Sequence, residues 1–378
     1  LENTVQEELE QISAMPIPDA DSLLGRFTFI EGAQADDSVV QAATEKPGFG
    51  NSFADYMARI TWTPNGWGSR SVVPYGPISM DPAGSVLHYG QEIFEGLKAF
   101  RHEDGSVWTF RPTYNAARLN MSSRRLAIPE LPIDDFMASI VSVVRANERW
   151  VPSQMGTSLY LRPFTFASEA FLGVRAAKKY EYMVVASPAG AYFSGGLTPI
   201  NVWVDRTYHR AGPGGMGDVK TGGNYAASLL PKLVSHDAGF DEVLFLDAAT
   251  NTNLDELGGM NVFVVYADGH VATPSLSGNI LPGATRSSIL QLLRARGVRA
   301  VEETLSLDSV LEGIRSGTIS EMFACGTAAV VTPIGRLTSD DFDVYLEGGD
   351  VVQSIYDELV GIQMGRVEDR FGWCYRIC

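Results

Sequence analysis

The stretch Gly212 to Gly223 reads GPGGMGDVKTGG and carries one lysine, Lys220. Three nucleotide-binding readings of it each fail on a detail. Gly212, Gly214 and Gly217 satisfy G-x-G-x-x-G, but Pro213 interrupts the turn and no helix signal starts directly after Gly217. Lys220-Thr221 matches the end of a phosphate-binding loop, yet Val219 stands where that loop needs glycine. A kinase reading lacks the H-R-D and D-F-G partners. What remains is a lysine just before Gly222-Gly223-Asn224, where Asn224 is expected to cap a helix. A lysine amine is a nucleophile once neutral, and packing or a nearby cation lowers its pKa toward that state. Taken alone, the residue reads as plainly as a solvated loop lysine.

Three other segments could act with it. Pro282-Gly283-Ala284-Thr285 precedes the apolar-periodic stretch Arg286 to Arg296, so a helix start there offers N–H groups and a hydroxyl to an anion. Gly326-Thr327-Ala328 follows the apolar stretch Met322 to Ala324 and offers further N–H donors. Glu256, in Leu254-Asp255-Glu256-Leu257-Gly258-Gly259-Met260-Asn261, precedes the most apolar run of the chain, Met260 to Ala267. Such an acid is either a turn residue or the partner of a buried cation, and the other two segments can equally be ordinary helix starts and turns.

The elements that must position these residues form a mixed α/β pattern. Strands are expected at Tyr56 to Thr63, before the turn Pro64-Asn65-Gly66, and at Ser106 to Phe110, Ser158 to Leu161 and Tyr182 to Ala186. Pro112 opens a helix that Pro129 ends, and a second runs from Asp134 to about Trp150. Later strands fall near Val202, Val243 to Leu246 and Val262 to Tyr266, with helices from Asn224, at Arg286 to Arg296 and at Asp308 to Ser316. The length of 378 residues favours two domains. Residues 1–187 are expected to form a smaller N-terminal α/β domain, with 1–45 a weakly patterned tail. The Gly/Pro-rich stretch 188–197 is the expected linker, and 198–378 the larger domain.

Composition excludes several function classes. The net charge of −16 would repel a nucleic-acid backbone. Met260 to Ala267 is too short to cross a bilayer, and the acidic start shows no export signal, so no membrane partner is expected. Cys325, Cys374 and Cys378 form no C-x-x-C pair, which fits a reducing cytoplasm, and five scattered histidines give no metal-binding spacing.

Read together and in order, the segments Tyr89 to Phe100 (YGQEIFEGLKAF), Phe110 to Arg118 (FRPTYNAAR), Leu159 to Pro163 (LYLRP), Lys220 to Tyr225 (KTGGNY), Glu256 to Asn261 (ELGGMN) and Leu281 to Thr285 (LPGAT) closely resemble the branched-chain-amino-acid aminotransferases of the fold type IV pyridoxal enzymes. The match runs from about Phe49 to the C-terminus. The resemblance implies a two-domain α/β architecture with pyridoxal 5'-phosphate at the domain interface, and a homodimer whose pocket is completed by its neighbour. It implies that Lys220 makes the Schiff base and shuttles the proton. Glu256 would meet the pyridine nitrogen and Tyr225 the phenolic oxygen. Arg118 would hold the phosphate together with Thr285 and Thr327, and Leu281, Gly283 and Ala284 would also bind the cofactor.

By the same resemblance, Phe49, Tyr89, Phe94, Tyr160 and Tyr192 wall a pocket for leucine, isoleucine and valine. Arg162 would meet the distal carboxylate of glutamate or 2-oxoglutarate, and the Thr327-Ala328 amides the α-carboxylate. Aromatic rings give apolar area and tyrosine hydroxyls give donors, so one pocket can serve both polarities. The chain departs from relatives that carry C-x-x-C after the Gly-Thr-Ala turn, since Ala329 and Thr332 stand there. Rival readings are a D-amino-acid aminotransferase or aminodeoxychorismate lyase of the same fold, and a noncatalytic small-molecule-binding relative, which would lose Lys220 or Glu256.

Overall fold

The structure, a computed structural model, describes residues 2–190 and 197–378. The chain divides into two compact units. One comprises Glu8–Ala191, Lys220–Gly222 and Gly361–Cys378, and the other Leu1–Glu7, Tyr192–Val219 and Gly223–Val360. A single boundary near residue 190 does not describe this division, because the chain returns to the first unit twice. The strand Tyr180–Ala189 runs into the stretch expected as linker, of which 191–196 lie outside the described residues.

The first unit is built on a nine-stranded sheet. Its order is Thr28–Phe29, Gly66–Pro74, Tyr56–Thr63, Tyr180–Ala189, Ser158–Ala167, Leu97–Arg101, Val107–Phe110 and Cys374–Arg376, with Glu92–Phe94 paired to Ser158–Ala167. The hairpin between Tyr56–Thr63 and Gly66–Pro74 turns at Asn65-Gly66, where Gly66 has φ 102°, a backbone state that costs glycine little. Pro112 starts the helix Pro112–Arg125 because its missing N–H has no helical partner at that position. The helix Ile133–Ala146 buries Phe136, Met137, Ile140, Val141, Val143 and Val144 and packs on Tyr56–Thr63 and Tyr180–Ala189. At its end, fully buried Asn147 accepts from the Tyr56 N–H at 3.0 Å and donates to the Tyr56 carbonyl at 2.9 Å, so one amide replaces a missing strand partner.

Residues 1–45, a weakly patterned tail by sequence, carry the helices Glu2–Ser13, Ala20–Leu24 and Asp37–Glu45. Leu9, Leu23, Phe27 and Val40 are buried, and Arg26 donates to Asp135 at 2.7 Å. In Glu2–Ser13 the apolar residues Val5, Leu9 and Ile12 recur at helical spacing, a short signal that the surrounding acidic and polar residues mask.

The second unit holds another nine-stranded sheet. Its order is Leu254–Leu257, Glu242–Leu246, Ile200–Asp205, Val330–Ser339, Ile319–Gly326, Asn261–Tyr266, Val271–Pro274 and Ala300–Glu303, with Phe342–Tyr345 on Val330–Ser339. The apolar run forms the strand Asn261–Tyr266, whose Val262, Phe263, Val264 and Val265 are fully buried. The helices Ala284–Ala295 and Leu307–Ser316 pack on Ile319–Gly326.

Candidate active site

In the first unit the segment Lys220–Gly222 is stitched to the strand Glu92–Phe94. The Phe94 N–H donates to the Lys220 carbonyl at 3.0 Å, and the Lys220 N–H donates to Ser122 Oγ at 3.0 Å. The Thr221 hydroxyl donates to the Glu92 carbonyl at 2.7 Å, and the Gly222 N–H donates to Glu92 Oε1. A Cβ on Gly222 would collide with that carboxylate, which is why glycine stands there. The backbone of Lys220 is thus fixed at both its N–H and its carbonyl.

The side chain of Lys220 lies with Nζ 4.6 Å from the centre of the Phe94 ring. The Arg162 guanidinium is 4.7 Å from the same ring and 5.3 Å from that of Tyr160, and Arg162 Nη2 donates to the Tyr160 hydroxyl at 3.0 Å. Tyr160 and Arg162 are two apart on Ser158–Ala167 and share a face of the sheet. Phe49 meets Tyr160 edge-on at 5.1 Å. Contacts therefore link Phe49, Phe94, Tyr160, Arg162 and Lys220. Burial pushes the Glu92 carboxyl above its ordinary range, against the Gly222 amide, the Arg162 charge and Thr221.

Arg118 forks onto Glu95, with Nε to Oε1 and Nη2 to Oε2 both at 2.8 Å, and Asn115 Nδ2 donates to Glu95 Oε2 at 2.8 Å. Both charges are buried, so the bidentate geometry offsets much of their desolvation. From the sequence Arg118 is expected at a phosphate, whereas Glu95, which lies inside a segment that carries the resemblance, has no local signal that would pair it with Arg118. Tyr89 stands apart. It is 45% exposed, and its hydroxyl donates to the carbonyl of exposed Leu172.

In the second unit Glu256 sits on the strand Leu254–Leu257 and is buried. Its Oε1 accepts from the Leu281 N–H at 2.8 Å and forms an ion pair with Arg210 Nη1 at 2.9 Å, while Oε2 accepts from Asn261 Nδ2 at 3.2 Å. Arg210 Nη1 also donates to the carbonyls of Asn279 at 2.7 Å and Gly217 at 3.0 Å. Arg210 was not legible as a site residue, because an isolated arginine carries no spacing signal. Asn224 does not cap a helix as expected. It lies inside the helix Gly222–Ala226 and donates back to the carbonyls of Met216 at 2.7 Å and Val219 at 2.9 Å, closing the glycine-rich loop.

The helix Ala284–Ala295 begins after Gly283, whose backbone is extended and which as N-cap residue supplies no side-chain cap. Thr285 is buried in that first turn. A Cβ on Gly283 would collide with Asn261 Oδ1, so the Leu281 to Thr285 turn packs directly on the amide that serves Glu256. Thr327 and Ala328 form the turn after Ile319–Gly326, and Tyr225 lies on the helix Gly222–Ala226. Tyr192 lies outside the described residues. Among the described residues no cluster could hold a metal ion, and no helix is long and apolar enough to cross a membrane.

Taken one by one, these groups suit parts of a phosphorylated pyridine aldehyde. In the second unit a buried carboxylate held by a cation suits a protonated ring nitrogen and a helix start after a glycine suits a phosphate, and in the first unit a clamped lysine suits an aldehyde. The comparisons agree. The family model Amino-transferase class IV matches residues 92–337, and the chain belongs to the class IV aminotransferases. Its relatives include branched-chain-amino-acid aminotransferases. A probable branched-chain-amino-acid aminotransferase of Streptomyces coelicolor is 50% identical over 346 residues, covering 90% of this chain and 95% of the relative. The branched-chain-amino-acid aminotransferase of Mycolicibacterium smegmatis is 47% identical over 351 residues, 91% and 95% of the two chains. Among solved structures, the branched-chain amino acid aminotransferase from Escherichia coli has a TM-score of 0.68 at 29% identity, covering 85% of this chain and 99% of that one.

Proposed function

We propose that the chain transfers the amino group of leucine, isoleucine and valine to 2-oxoglutarate, giving branched-chain 2-oxo acids and glutamate, with pyridoxal 5'-phosphate as cofactor. Family membership and the relatives' names support this activity and cofactor. When bound, the cofactor supplies an electron sink for the pair left at the substrate Cα.

Lys220 is the tether and the base that takes the proton from Cα and returns it. Glu256 serves the ring nitrogen, and Arg210 is its ion-pair partner. Tyr225 serves the phenolic oxygen. Arg118, Thr285 and Thr327, with the backbone of Gly283 and Ala284, would hold the phosphate, while Leu281 would serve the cofactor through the N–H it donates to Glu256. Phe49, Phe94 and Tyr160 give apolar area to an aliphatic side chain, and Arg162 gives a cation to the distal carboxylate of glutamate. The Thr327-Ala328 amides take the α-carboxylate.

The observation that carries the proposal is the ring of Phe94 with the amine of Lys220 and the guanidinium of Arg162 both within 5 Å of its centre. It sets a reactive amine beside a carboxylate receptor on one apolar surface. Tyr89, exposed with Leu172, suits a residue that serves the pocket of a second copy, and we assign the chain to a homodimer on that basis. The cysteines, three in number and without a C-x-x-C pair, favour a cytoplasmic enzyme.

The purified protein is expected to be yellow and to convert leucine plus 2-oxoglutarate to keto acid and glutamate. Lys220→Ala should abolish turnover while circular dichroism stays unchanged. Substantial residual turnover in that variant would remove the lysine from its role.

A further inference from the structure

Among the described residues no carboxylate lies within ion-pair distance of Arg162. Its one hydrogen bond there goes to Tyr160, and its buried Nε has no partner among them. A half-buried guanidinium held on two aromatic rings with donors to spare is a receptor for an anionic group. The charge that stands near it without touching is Glu92. Glu92 and Phe94 are two apart on one strand and share a face, and Arg162 lies on the Phe94 ring. The Glu92 carboxylate is fixed there, because Oε1 accepts the Gly222 N–H.

We propose that Glu92 is a specificity-determining and positioning residue. Its carboxylate fastens the Lys220–Gly222 segment, and its charge offsets that of Arg162, so a dicarboxylate substrate binds against Glu92 whereas an aliphatic one does not. The clamp is common to both half-reactions, since both use Lys220. The charge is felt in only one, the half-reaction that brings a second carboxylate to Arg162. With leucine in the pocket, Glu92 balances a cation that would otherwise face an alkyl chain. With glutamate there, two carboxylates share one guanidinium, and the dicarboxylate is held less tightly than Arg162 alone would hold it. A loosely held glutamate leaves the pocket open to the next aliphatic substrate.

The inference rests on the reading of Arg162 as the receptor for the distal carboxylate, and the two are separable by experiment. The probes are two inert ligands, glutarate and 4-methylvalerate, titrated calorimetrically into the cofactor-loaded enzyme. Glu92→Gln keeps an acceptor for Gly222 and removes the charge, so glutarate should bind about fivefold more tightly while 4-methylvalerate changes by less than about twofold. Glu92→Ala also removes the clamp and should lower kcat with leucine and glutamate alike, a loss that Glu92→Gln restores. Arg162→Gln should weaken glutarate alone. If Glu92→Gln leaves glutarate unchanged, or shifts both ligands equally, while Arg162→Gln still weakens glutarate, the proposal for Glu92 is wrong and that for Arg162 stands. If Arg162→Gln leaves glutarate unchanged, both are wrong.

Discussion

Arg210 Nη1 lies 2.9 Å from Glu256 Oε1, and both side chains are almost wholly buried. The same nitrogen holds the carbonyls of Gly217 and Asn279, so one guanidinium ties the glycine-rich loop and the turn before Leu281 to the acid. Removing the cation strands a buried carboxylate. Arg210→Met should therefore cost about 3–5 kcal/mol in urea unfolding. The double variant Arg210→Met, Glu256→Gln should cost less than the sum of its parts, because the stranded charge is gone. Strict additivity would show that the two charges are not coupled.

What could be read from the sequence was local. The strand Tyr56–Thr63 and the helix start at Pro112 follow from β-branched clustering and from proline geometry, and both stand where expected. The helix Ala284–Ala295 begins two residues before the apolar period does, since its first turn is the glycine-alanine segment expected to meet an anion. Pairings distant in sequence were not legible. Glu95 finds Arg118 across 23 residues and Arg210 finds Glu256 across 46, and neither pair leaves a periodic trace. The strand Cys374–Arg376 pairs with Val107–Phe110, a closure invisible to any local pattern.

The pair Arg118–Glu95 makes a second prediction. Three hydrogen bonds from Arg118 and Asn115 converge on a carboxylate that water does not reach. Glu95→Ala would leave a buried guanidinium without its fork partner, at a cost of about 3–5 kcal/mol. If Arg118 also serves the cofactor phosphate, the same variant should lower the affinity for pyridoxal phosphate, read by equilibrium dialysis. An unfolding midpoint equal to that of the parent would mean that Arg118 is held by other partners.

Gly96 tests the aromatic surface without removing a charge. A Cβ there would collide with the Tyr160 hydroxyl and stand 2.9 Å from Tyr160 Cζ, and a tyrosine ring cannot bend away as a long aliphatic chain can. Displacing Tyr160 also breaks its bond to Arg162. Gly96→Ala should raise KM for both leucine and glutamate by about tenfold, the scale of one lost hydrogen bond plus packing strain. Tyr160→Phe relieves the hydroxyl collision, so the double variant should recover the leucine KM further than the glutamate KM. Equal recovery would separate Tyr160 from the carboxylate receptor.

Asp255 gives the last prediction, on pH. It neighbours Glu256 on the strand Leu254–Leu257 but points to the other face, is 4% exposed, and its Oδ2 has no hydrogen-bond partner among the described residues. Burial, then repulsion from Glu256 and Asp247, pushes its carboxyl up to about 7 against the pull of Arg210. An acid whose folded pKa exceeds its unfolded value is neutral in both states at low pH and adds nothing to stability there. As pH climbs from about 4 toward 7 the unfolded chain releases the proton while the folded one keeps it, so stability falls through that window and then levels off. Asp255→Asn removes the penalty. It should be more stable than the parent at pH 8 by at most about 4 kcal/mol, with the gap closing toward pH 4. Urea unfolding at several pH values measures that gap, and a gap constant from pH 4 to pH 8 would mean that Asp255 does not titrate in this window.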